Sequence, residues 1–311
     1  MLSRVADSLY WMSRYLERAD HNARVLESNY NSLLNPAKES RVSRWNSITR
    51  SLGLDSDLSN NDAPWSLLSF IAQPGNRSSI LGSIASAREN ASQVREQISS
   101  EMWERLNRLY HEVTATSTRA EFGSEPIRFL SLFREGAYAF HGVTESTIPH
   151  GEAWHFIQLG KYIERADGIC AVLDASYSSP EDADDLDWIG LLTSCSALDA
   201  FRKVHTASLK AECVIEFLLL DPDFPHTVRY SIERVQYALS AIASLTLTRH
   251  SRRIERMIGT LRSSLAYVQI EEVMARDLHS YLIRIREQCK ALHRAVHEVY
   301  IDYPPEAVLE N

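Results

Sequence analysis

YLERAD begins at residue 15 and YIERAD at residue 162, 147 positions apart in a chain of 311 residues. A near-identical hexapeptide at half-chain spacing constrains the fold more than any other feature, because it asks for the same local structure twice. The match extends beyond six letters. Aligning 8–27 with 155–174 pairs Tyr15 with Tyr162, Glu17 with Glu164, Arg18 with Arg165, Ala19 with Ala166, Asp20 with Asp167, Val25 with Val172 and Leu26 with Leu173. Arg14 with Lys161 and Leu16 with Ile163 are conservative pairs. FIAQPGNRSSILGSI (70–84) parallels FLLLDPDFPHTVRYSI (217–232), and Phe70 and Phe217 are again 147 apart. FREGAYAFH (133–141) parallels IREQCKALH (285–293) at an offset of 152, matching Arg134, Glu135 and His141 to Arg286, Glu287 and His293. These landmarks predict a single domain over 1–303 built from two repeats, 1–147 and 148–303, related by a pseudo-twofold axis. A short tail follows at 304–311.

The repeated unit is helical. Alternating apolar and polar runs are missing, and no Asn-Gly or Asp-Gly pair joins two such runs as a hairpin turn. Its few glycines and prolines fall between segments of helical periodicity, as in NPAKES, QPGNRSS, GSEP, YSSPEDADD and DPDFPHT. Periodicity predicts an all-α helical bundle with helices over 2–34, 38–52, 64–72, 78–117, 126–147, 151–177, 186–206, 208–220, 225–248, 251–267 and 270–300. Pro36 ends the first helix, Pro126 suits a first turn, and Ser78 and Thr227 are candidate caps. Hydrophobic residues at 44% supply a sizeable core.

Charge and composition narrow the setting. The net charge is −8 and the basic residues are dispersed, so no nucleic-acid partner is expected. VIEFLLL (214–220), among the longest apolar runs, is far too short for a bilayer, and MLSRVADSLYW lacks the apolar core of a signal peptide. Cys170, Cys195, Cys213 and Cys289 are widely spaced with no Cys-x-x-Cys pair, as in a reducing compartment. A cytoplasmic location without membrane association is expected.

Chemistry is sought first in the repeated letters. On a wheel of 100° per residue, Met12, Tyr15, Leu16, Ala19, Ala23 and Leu26 share one face. Arg14, Glu17, His21 and Arg24 occupy the opposite, polar face, and Arg18 and Asp20 flank it. A single copy of such a face is a solvated surface with weak ion pairs. Two copies retaining Glu17, Arg18 and Asp20 as Glu164, Arg165 and Asp167 leave two readings open. One is a structural network between the halves, in which each arginine reaches a carboxylate of the other copy. The other is a polar binding or active site shared on the axis. His293 and His297, with Glu298 alongside, have ligand spacing, as do Glu17 and His21, but the paired Glu-x-x-His of a di-iron bundle is missing. His150, Glu152 and His155 gather at a helix start. The acidic run Glu181, Asp182, Asp184, Asp185, Asp187 lacks calcium-loop spacing and reads as a linker. Tyr10, Trp11, Tyr15, Trp45 and Trp188 read as core anchors. The chain has no Gly-rich phosphate loop, no Gly-x-Ser-x-Gly elbow and no His-Glu-x-x-His motif, so neither cofactor nor metal is expected.

The charged segment 83–107 is equally informative. Arg88, Glu89, Arg95, Glu96, Glu101 and Glu104 mark a solvated helix, whereas Asn90 and Asn107 are poor helix formers that buried hydrogen bonds would explain. With SLYWMSRYLERADHNARVLE, ARENASQVREQISSEMWERLN, FLLLDPDFP and FIQLGKYIERAD in view, the chain resembles the alpha-E family over roughly 1–303. This is a bacterial, predominantly helical domain named for its Glu-Arg motif. The resemblance places motif residues on Glu17, Arg18, Glu164, Arg165, Arg88, Glu89, Asn90, Glu101, Trp103 and Asn107.

The same resemblance implies a setting. Alpha-E proteins are typically encoded with, or fused to, a circularly permuted ATP-grasp amide ligase, often beside a transglutaminase-like cysteine peptidase. The implied role is that of an accessory partner in making or modifying a peptide-like product. The alternative is an enzyme acting on that product through a composite Glu/Arg/Asp site formed by Glu17, Arg18, Asp20, Glu164, Arg165 and Asp167, with His21, Arg88, Glu89 and Asn90 as further candidates. No nucleophile is evident, but a pair of carboxylates suits acid/base work.

Overall fold

The computed structural model describes residues 1–33, 49, 51–53, 79–116, 126–177, 185–205, 209–245 and 251–301. Outside them fall most of the expected helix 38–52, all of 64–72, and Pro36, Trp45 and Ser78. The landmark at 70–78, acidic residues 181–184 and the tail 304–311 also lie outside. Among the described residues the protein is all-α, with no strand. The helices are α1 (Ser3–Leu33), α2 (Ile80–Gln93), α3 (Ser100–Thr116), α4 (Pro126–Thr147), α5 (Glu152–Tyr177), α6 (Asp185–Ser194), α7 (Leu198–Val204), α8 (Ala211–Leu220), α9 (Val228–Leu245), α10 (Arg252–Tyr267), α11 (Ile270–Arg276) and α12 (Leu278–Val296). A π-helical turn, His297–Ile301, closes the series. None of these helices is long and apolar enough to cross a membrane.

Three expected helices are broken, two by a side chain that captures backbone amides and one by a backbone ending at positive φ. The helix expected over 78–117 stops at Gln93 and restarts at Ser100, where the Ser99 hydroxyl accepts from the Met102 amide at 3.1 Å. Its N-cap is Ser79, one residue on from Ser78, accepting from the Gly82 amide at 2.9 Å. The helix expected over 186–206 is interrupted at Ser196, which adopts φ +52°. There the Ala197 amide reaches the Leu192 carbonyl at 2.7 Å and the Ser196 amide reaches Thr193 at 2.9 Å. That nested pair is a Schellman ending with serine in the place glycine usually takes, so it left no glycine signal. The helix expected over 270–300 breaks at Asp277, whose carboxylate accepts from the His279 and Ser280 amides. Such side-chain capture competes with helix continuation.

Two central helices position everything else. α1 and α5 pack against each other; α1 also meets α2, α4 and α6, while α5 meets α9 and α12. α3 closes on α2 and α4, and α10 closes on α9 and α12. Contact between the central pair is close enough to need glycine. A Cβ at Gly160 would come within 2.3 Å of the Tyr10 carbonyl oxygen. Nearby, the Ser13 hydroxyl donates to the Ile157 carbonyl at 2.6 Å.

The polar face of α1 is not solvated. Glu17, Asp20, His21 and Arg24 are all buried, together with the apolar face that carries Met12, Leu16, Ala19 and Ala23. α5 lies on that polar side and brings opposite charges to meet it.

Candidate functional site

The α1–α5 seam is built from two ion-pair clusters. In the first, Glu17 is fully buried and gripped by Arg165, whose Nε and Nη2 donate to its two carboxylate oxygens at 2.6 and 2.9 Å. Arg165 Nη1 also donates to the Pro225 carbonyl at 3.1 Å. That carbonyl is presented by a turn held locally: the Asp221 carboxylate accepts from the Asp223 and Phe224 amides, and Thr227 caps α9 while donating to the Asp221 carbonyl at 2.6 Å. In the second cluster, Glu164 accepts from Arg14 at 2.7 Å and from Arg18 at 2.5 Å. So the two Glu-Arg steps exchange partners: Glu17 with Arg165, and Arg18 with Glu164.

The two aspartates part company. Asp20 is bound at 3.0 Å by Arg24, one turn along its own helix. Asp167 is bound by Arg286 of α12 at 3.0 and 3.4 Å. His21 is buried with its ring against Gly168, where a Cβ would come within 3.0 Å. Arg88, Glu89 and Asn90 are not part of the seam. Arg88 donates to Asn107 of α3 at 2.7 Å and lies over the Tyr110 ring, Asn90 bonds the Ser86 carbonyl, and Glu89 is exposed. Arg88 and Asn107 thus join α2 to α3, while Asn90 bonds within its own helix, which explains the two asparagines without a site.

Around Glu17 the structure adds groups that sequence reasoning passed over. His141 of α4 sits 3.6 Å from Glu17, and Arg24 sits 3.9 Å from it. Arg24 also lies 3.0 Å from the His226 ring and 3.5 Å from the hydroxyl of Ser196, the residue with positive φ. The half-buried Lys161 forms no hydrogen bond or ion pair among the described residues, and its ammonium lies 5.4 Å from the centre of the Tyr162 ring. Two signals were available: Lys161 occupies Arg14's place in the repeat, and His141 and Arg286 fall in its third landmark.

Electrostatics separate these groups sharply. Burial alone would raise the Glu17 carboxyl, but the Arg165 guanidinium holds it well below the usual carboxylate range. Burial likewise opposes ionisation of Glu164, yet Arg14 and Arg18 bring it down to about 2. Asp20 goes the other way: burial lifts it to about 6 against the pull of Arg24. Burial, then Arg165, lowers the Lys161 ammonium to about 8. Burial and Lys161 lower His141 to about 4, and burial and Arg24 do the same to His21. Burial raises the thiols of Cys195 and Cys289 to about 12 and that of Cys170 well above its ordinary value; Cys213 is half-buried.

The histidine pair at 293 and 297 is otherwise engaged. His293 Nδ1 is 2.9 Å from the buried Tyr10 hydroxyl, and Glu298 accepts from Arg253. Among the described residues no group of three or more His, Cys, Asp or Glu side chains is placed to hold a metal ion.

Comparison with known proteins gives a family but no structure. Residues 1–301 match the model of Alpha-E, described as a predicted alpha-helical domain with a conserved ER motif. Uncharacterized proteins of Mycobacterium tuberculosis (strains H37Rv and CDC 1551) and Mycobacterium bovis are each 25% identical over 320 residues, covering 95% of this chain. The chain spans only 36% of those relatives' own length. No solved structure matches it.

Proposed function

The chain belongs to the Alpha-E family, and from that premise we propose that it is a non-catalytic partner of an ATP-grasp amide ligase. In this reading it works beside a transglutaminase-like peptidase in making or modifying a peptide-like product. The observation that carries the non-catalytic part is the state of the two glutamates. A general acid or base needs a pKa near the working pH. Glu17 and Glu164 are instead locked into arginine pairs and held ionised far below neutrality. That chemistry suits a clamp. The partner itself rests on the family resemblance.

The clamp joins two halves of a duplicated unit, related by a pseudo-twofold axis. Reciprocal contacts support this. Glu17–Arg165 and Arg18–Glu164 interchange under the 147-residue offset, as do Ser13–Ile157 and Tyr10–Gly160. His21 and Gly168, equivalent under that offset, touch each other, as residues on an axis must. The helix pattern agrees: α1 with α2, α3 and α4 parallels α5 with α9, α10 and α12.

Coexpression with the ligase encoded beside it is the test. A complex on gel filtration at micromolar concentration supports the reading, and separate elution across a range of salt refutes it.

One observation favours a second reading, in which the seam is an active site. Lys161 has no counter-ion bonded to it and loses its proton at about 8, which suits a base or nucleophile. Lys161→Met that folds normally yet abolishes product formation would establish this reading over the first.

A further inference from the structure

Beside the seam, and without Glu17 or Arg165 in its walls, opens a cavity of about 290 Å³. Its titratable walls are Arg14, Arg18 and His21 of α1, Glu164 and Asp167 of α5, and Arg286 of α12. We propose that this cavity is a binding site for a small molecule carrying an oxyanion, a phosphate or a carboxylate, seated between Arg18 and Arg286. This goes beyond the proposed partnership and does not depend on it.

Charge is the first argument. Three guanidiniums face two carboxylates, and burial and Arg24 keep His21 neutral near pH 7, so the walls carry a net positive charge. That excess sits in a chain whose net charge is −8.

The second argument is how the arginines are held. Glu164 takes Arg18 by its Nε, and Asp167 takes Arg286 by Nε and Nη2. Arg18 makes no other hydrogen bond among the described residues and lies over the Tyr15 ring at 5.5 Å. Carboxylates behind and an aromatic face beside thus fix the guanidinium planes while leaving terminal nitrogens uncommitted. A preordered fork of this kind is the arrangement that binds oxyanions bidentately. Exposure supports the distinction: the Arg18 and Arg286 side chains are 26% and 28% exposed, whereas that of Arg165, in the closed cluster, is 5% exposed.

The third argument is size. The volume lies at the lower edge of small-molecule sites, more than a bare ion fills.

The test is isothermal titration of the full chain with inorganic phosphate, pyrophosphate and succinate, at constant ionic strength. Saturable binding is expected for at least one class, and which class binds identifies the source of the oxyanion. Arg286→Gln should weaken it at least about tenfold, the loss of one charge-assisted contact. Arg18→Gln leaves Glu164 paired with Arg14 and serves should Arg286→Gln fail to fold. Arg253→Gln, which alters only an exposed pair with Glu298, should bind as the unmodified chain does. No saturable binding of any of the three, or equal affinity in the folded Arg18 or Arg286 variant, overturns the proposal.

Discussion

Arg165→Ala should be far more damaging than Arg18→Ala, although the two arginines occupy the same place in the repeated hexapeptide. Removing Arg165 takes away both hydrogen bonds to Glu17 and one to the Pro225 carbonyl. Glu17, with no exposed surface, is left with Arg24 at 3.9 Å and a neutral His141 at 3.6 Å. An uncompensated buried charge of this kind costs roughly 3–5 kcal/mol. Removing Arg18 leaves Glu164 still bound to Arg14 at 2.7 Å, and Arg18 is itself partly solvated. That loss should stay near about 1 kcal/mol. Urea unfolding followed by far-ultraviolet circular dichroism separates the two. With a slope of about 3 kcal/mol/M, Arg165→Ala should lower the midpoint by roughly 1–1.7 M and Arg18→Ala by about 0.3 M. Adding Glu17→Gln to Arg165→Ala removes the stranded charge and should recover part of the loss. Equal shifts for the two single variants, or no recovery in the double, would refute the idea that burial of Glu17 governs the seam.

Three further outcomes are expected in the same assay. His21 and His141 titrate near 4 when folded against an ordinary 6.5, so the unfolded chain takes up more protons from them between those values. Asp20, raised to about 6, opposes this with one proton. His226 and His293, also lowered by burial, add to the histidine side, so the unfolded state holds the excess of protons and stability should fall as pH drops from 6.5 to 4, by at least about 1.4 kcal/mol per unit; a flat profile there would contradict it. Lys161→Met should hold or raise stability at pH 7, because Glu17, Asp20, Arg24 and Arg165 balance without it; a clear loss would show the ammonium to be a needed counter-ion. Gly160→Ala should cost about 1–3 kcal/mol by forcing a Cβ onto the Tyr10 carbonyl, whereas Gly259→Ala, with open space around it, should gain up to about 1 kcal/mol.

Much of the architecture was legible because helices announce themselves locally. Pro126 and the periodicity after it place α4, and Thr227 caps α9 as its position implies. The breaks at Ser99, Ser196 and Asp277 were hidden inside continuous apolar periodicity, since a serine or aspartate that captures amides, or a serine that takes positive φ, looks like any polar helix residue. At the seam, repetition picked out Glu17, Arg18, Glu164 and Arg165 because a duplicated letter can be seen without knowing its partner. Arg24 and His226 acquire meaning only from what long-range packing sets beside them. How deeply the polar side of α1 is buried was illegible for the same reason: a helix with charges on one side looks solvated until a second helix supplies the opposite charges. Arg88, Glu89 and Asn90 carry the converse lesson, since rich chemistry in a short run can serve local bonding and solvent exposure alone.

The silent thiols have a kinetic consequence. An alkylating reagent needs a thiolate it can reach, and Cys170 on α5 and Cys289 on α12 offer neither while the helices stay closed. Modification of either must wait for α5 and α12 to separate, so its rate follows how often that pair breathes and how briefly it stays open. Half-buried Cys213, on α8, supplies the baseline against which that breathing is timed.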